Sequence, residues 1–150
     1  MATNFLAAAV LAMIFAPTAR ACEGPQNLPG RYIDVHFESD SSEIPRTELA
    51  RLSVWSSDIR NRFPIIDVVW LVGLSESTEQ NAQQLAYRRA ENVMNALDQF
   101  TIKGTRSAFI GRVYPPVPGI DQSGRRVEVN VGPGCPDHGC PNLSNTPAGR

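Results

Sequence analysis

The chain has 150 residues, 42% of them hydrophobic, with 14 basic and 15 acidic side chains and a formal net charge of −1. That length supplies one domain with a single core. A near-neutral balance without a basic face argues against a nucleic-acid partner.

In chain order, residues 1–21 read as a cleaved signal peptide. Phe5 to Phe15 is an apolar run too short to span a bilayer, and Ala19-Arg20-Ala21 is a small-x-small cleavage signal. The competing reading is a buried N-terminal helix, which Pro17 would end. Loss of Arg20 leaves 13 basic against 15 acidic residues. No transmembrane span is expected after cleavage. Residues 22–31 form a linker rich in Gly and Pro.

From Tyr32 to Phe37 the pattern alternates, with Ile33, Val35 and Phe37 on one face, which predicts a strand. His36 falls on the polar face, where a solvated imidazole is the simple reading. After a polar turn, Pro45 opens a helix reaching about Arg62, with Leu49, Leu52, Trp55, Ile59 and Phe63 in one stripe. Ile65 to Leu74 is nearly continuous apolar residues and reads as a strand covered on both faces. Gly73 to Thr78 forms a turn, and Ser77 with Gln80 offers a capping box for the next helix. That helix runs from about Glu79 to Phe100, with Ala82, Leu85, Ala86, Ala90, Val93, Leu97 and Phe100 inward. Thr105 to Val113 is a weaker strand. Tyr114 to Gly119, with three prolines, is a loop. Arg125 to Val131 alternates again, with Val127, Val129 and Val131 facing in. The order strand-helix-strand-helix-strand-strand predicts an α/β sandwich, two helices packed on a mixed four-stranded sheet. It spans residues 32–132, followed by a flexible tail at 133–150.

The cysteines are Cys22, Cys135 and Cys140. In an exported chain Cys135 and Cys140, flanking Pro-Asp-His-Gly, are the expected disulfide. Cys22 would begin the mature chain, and the preceding Ala19-Arg20-Ala21 fits a lipobox poorly. Cys135, His138 and Cys140 lack a fourth zinc ligand. Neither metal nor cofactor is implied. Ser-His-Asp order, a Cys-His nucleophile and a Gly-rich phosphate loop are all missing from the sequence, so no enzyme is expected.

Four local signatures remain: Val35-His-Phe37 followed by Ser41 and Ser42; Val72-Gly73 before a polar turn; Leu85-Ala-Tyr-Arg-Arg-Ala90 followed by Val93 and Leu97; and Gly124-Arg-Arg-Val-Glu128. In this order they resemble the OmpA C-terminal-like domain, over roughly residues 32–132. The resemblance implies a non-catalytic module of the periplasm, associated with the outer membrane, that holds the diaminopimelate branch of peptidoglycan. An acid in the turn takes the branch's ammonium and the second arginine of Arg-Arg-Ala takes its carboxylate. Mapped here, these are Glu76 and Arg89, with Ser75 beside the acid and Asn81 (or Ala82) as a helix asparagine. The turn departs from the family: Glu76 replaces Asp, the second glycine is missing, and the stretch to Arg-Arg-Ala is two residues shorter. A buried guanidinium on this helix needs an anionic partner, either the ligand or a protein acid such as Glu76. If the ligand site is degenerate, the alternative is a fold serving protein–protein contact in the cell envelope.

Overall fold

Alternation of Ile33 and Val35 with polar neighbours produces β1, Arg31–His36, in the computed structural model, which describes residues 31–114 and 124–135. Helix α1, Arg46–Arg62, begins just after Pro45, whose fixed φ suits a helix entry. Leu52, Ile59 and Phe63 are buried, and Trp55 packs against the core half-covered. Leu49, expected in the same stripe, is exposed. It lies at the N-terminal end of α1, and the wholly buried Ser56 takes an inward position the apolar pattern does not mark.

Strand β2, Ile66–Glu76, is followed by α2, Ala82–Gln99; then come β3, Arg106–Tyr114, and β4, Arg126–Pro133. The strands lie in the order β1-β4-β2-β3. β4 pairs antiparallel with both β1 and β2, while β2 and β3 run parallel. The mixed sheet and two helices match the expected architecture. Leu52 and Ile59 from α1, Val93 and Leu97 from α2, and Val35, Val69, Leu71, Val127, Val129 and Val131 from the sheet form one core cluster.

Because that core lies on one side of the sheet, the expectation for β2 is corrected. Its outer face is open: Trp70 is 37% exposed, and Val68 and Val72 are half-buried. An apolar run can mark a strand in the middle of a sheet without marking two covered faces.

The capping box is corrected as well. α2 starts three residues later than expected, behind Asn81 in a left-handed conformation (φ 49°), with no side-chain cap. The turn residues bond elsewhere: the Gln80 N–H donates to Asp40 Oδ1 at 2.7 Å. On β4, Arg126 points to the outer face yet is buried, bonded to Glu128 and lying 5.2 Å from the Tyr114 ring centroid.

Candidate functional site

Two glycines set the position of α2. A Cβ on Gly73 would lie 2.0 Å from the Ala86 carbonyl oxygen, and one on Gly111 would lie 2.5 Å from the Tyr87 nitrogen. Only a residue without a side chain permits backbone this close. Ser75 then ties the end of β2 to the start of α2, its hydroxyl donating to the Ala82 carbonyl at 2.6 Å. Arg89, about two turns along α2, is thereby brought beneath the β2 terminus.

The Arg89 side chain has no exposed surface. Its Nε–H donates to the Ser41 carbonyl at 2.8 Å, one Nη1–H to the Leu74 carbonyl at 3.1 Å, and one Nη2–H to the Glu38 carbonyl at 2.9 Å. The two remaining N–H groups grip Glu79 in bidentate fashion at 2.8 and 2.7 Å. A guanidinium has five N–H donors, and all five are used. The Phe37 ring lies below it, 5.2 Å from its centre, a favourable face for a cation.

Glu79 is equally well held. Oε1 also accepts the Asp40 N–H at 2.9 Å and Oε2 the Glu76 N–H at 2.8 Å. Four donors therefore surround one carboxylate. Burial pushes its pKa up, but the Arg89 hydrogen bonds, the two backbone N–H groups and the Arg89 charge together pull it below the ordinary 4.5. At neutral pH the pair is ionised, buried and hydrogen-bonded throughout.

Of the residues expected to hold a ligand, the structure brings Arg89 and Ser75 to the same turn, while the acid on Arg89 is Glu79 and not Glu76. Glu76 therefore does not face Arg89 directly: the guanidinium is enclosed by Glu79 and by the Ser41, Leu74 and Glu38 carbonyls. The Glu76 side chain is about one-third exposed, and its Oε1 lies 3.7 Å from Arg125 Nε. Asn81 is exposed, and its carbonyl accepts the Leu85 N–H at 2.9 Å. Cys135 is at the end of the described chain; Cys22, Cys140, the signal peptide and most of the tail lie outside the described residues.

Glu79 and Asp40 are the site residues that sequence reasoning missed. One signal was present: a guanidinium on the inward stripe requires an acid, and the turn offers Glu79 as well as Glu76. Among the described residues no group of three metal-binding side chains comes together, and no helix is long and apolar enough to cross a membrane.

No family model and no curated protein sequence matches the chain. Solved structures do. The OmpA-like domain of FopA1 from Francisella tularensis subsp. tularensis SCHU S4 superposes with a TM-score of 0.53 at 19% identity, covering 69% of this chain and 73% of that one. The periplasmic domain of Helicobacter pylori MotB gives 0.55 at 18% identity, covering 73% and 80%. The peptidoglycan-associated lipoprotein from Burkholderia pseudomallei gives 0.51 at 19% identity, covering 65% and 88%. Two helices on one face of a mixed β1-β4-β2-β3 sheet thus have the fold of the OmpA-like domain.

Proposed function

We propose that this chain is a non-catalytic module of the periplasm that associates with peptidoglycan. Its structural neighbours include a periplasmic domain and a peptidoglycan-associated lipoprotein, which supports this reading. The finer proposal is that the diaminopimelate branch supplies the ligand, its carboxylate meeting Arg89 and its ammonium Glu76. What supports it is the Arg89 guanidinium, which holds the Glu79 carboxylate of the turn after β2 in bidentate fashion at 2.7 and 2.8 Å; the branch's carboxylate would take the place of Glu79. That geometry suits a carboxylate whichever molecule provides it.

Two charge-assisted contacts give weak monovalent binding, so retention would rest on many sites along one polymer. Purified sacculi should carry the mature protein into the pellet at low salt, free meso-diaminopimelate should release it, and Glu76→Gln should weaken it. A wild-type protein left wholly in the supernatant would end this reading. Release of muropeptides from the same sacculi would contradict the non-catalytic assignment.

A second reading, protein–protein contact in the envelope on the same fold, is favoured by one observation: every Arg89 N–H already has a protein acceptor. It expects no pelleting, together with an Arg89 Nε–H that resists solvent exchange. The signal peptide at 1–21 and the Cys135–Cys140 disulfide belong to the proposal; N-terminal sequencing and thiol titration of periplasmic protein check them.

A further inference from the structure

Glu79 occupies the bidentate edge of the Arg89 guanidinium, the edge that suits a carboxylate. Its two oxygens receive four donors from three separate places: the Arg89 guanidinium on α2, the Asp40 N–H from the loop after β1, and the Glu76 N–H at the end of β2. The occupant comes from a short connection between β2 and α2, not from either element. The loop it closes against is reciprocally fastened, since Asp40 Oδ1 accepts the Gln80 N–H. Asp40 and Asn81, at the two ends of this clasp, both have positive φ, 55° and 49°, a region that Asp and Asn adopt more readily than other non-glycine residues.

From this arrangement we infer that Glu79 is an intramolecular competitor, a tethered carboxylate that fills the receptor built on Arg89 and keeps free carboxylates out. The ligand class it competes with is an α-amino carboxylate or another small carboxylate able to bridge the guanidinium in the same way. Exchange of one carboxylate for another leaves the buried cation paired throughout, so no step strands a charge in the interior. A displaced Glu79 would swing out beside Glu76, placing two acids near the ligand's ammonium. The inference rests on the peptidoglycan reading for its physiological ligand, but its chemistry can be tested apart from it.

The test compares wild type, Glu79→Ala and Glu79→Gln in the mature chain, following the Arg89 Nε–H resonance and the melting temperature during titration with sodium acetate or sodium chloride. Glu79→Ala should bind acetate at least about tenfold more tightly than wild type, because the resident competitor is gone. It should regain melting temperature with acetate and not with chloride. Glu79→Gln, which keeps the size and loses the charge, should lie between the two and decides the matter if the alanine variant does not fold. Further substitution of Arg89→Ala should abolish the acetate response.

If acetate and chloride act alike on the folded variants, Glu79 is only a strut and the inference falls. Sacculus pelleting separates the two claims. Acetate selectivity with no pelleting by any form keeps the competitor and removes the peptidoglycan role. Pelleting of wild type with no acetate selectivity in the variants does the reverse.

Discussion

A buried ion pair stabilises a fold only when each member is fully solvated by protein groups, and Arg89 with Glu79 meets that condition. Removing one member leaves the other as an unpaired interior charge, so Glu79→Ala should lower unfolding free energy by about 3–5 kcal/mol in urea denaturation. Arg89→Lys keeps the charge but has three donors for five acceptors. It should cost about 1–3 kcal/mol for each buried acceptor left bare. The pH dependence has a definite sign. Glu79 titrates below the ordinary 4.5 in the folded protein, so its stabilisation is fully present above that value and is lost as pH falls through the folded pKa. Urea midpoints should drop below about pH 4.5, and Glu79→Gln should flatten that decline. A residual slope is expected from Glu48, shifted in the same direction: burial raises its pKa, while Arg51 and the His36 N–H lower it further. Sequence alone showed that Arg89 needed an acid; it could not choose Glu79, because the choice depends on how the five residues between β2 and α2 fold back on a loop some forty positions earlier.

Elements were easier to read than the contacts between them. The periodicities that produced both helices and all four strands are local properties, so their existence and order were legible to within a few residues. Gly73 shows the limit. Its place before a polar turn suggested a turn residue, whereas its service is to let α2 lie against β2, backbone to backbone. Gly73→Ala should push the helix outward and cost about 1–3 kcal/mol or more. Since α2 carries Arg89, the same variant should speed exchange of the Arg89 Nε–H, measured by NMR. The capping box failed for a related reason: Ser77 and Gln80 have the right types and spacing, but Gln80 makes a stronger bond to Asp40 across the turn. At the other margin of the sheet, Glu48 accepts the His36 N–H, and Arg51 donates to the Asp34 carbonyl. These side chains cover backbone groups that an edge strand would otherwise offer to another chain.

For the whole molecule, the pattern of apolar residues told which strands exist but not which are neighbours, because pairing between distant segments leaves no local mark. It also misjudged the outer face of the sheet. Leu71, facing the helices with no exposed surface, should lose about 2–5 kcal/mol on change to alanine. Trp70, its neighbour on the open side, should be readily quenched by acrylamide in a Trp55→Phe background; a shielded signal would mean that something covers that face. The position of β4 has a further consequence. The last of the described strands fills the middle of the sheet, between β1 and β2. Until residues 126–133 have been made, β1 has no sheet partner among the described residues, and the polypeptide cannot complete its core. A chain cut before residue 126 would therefore leave β1 unpaired and the core incomplete, a state open to proteases.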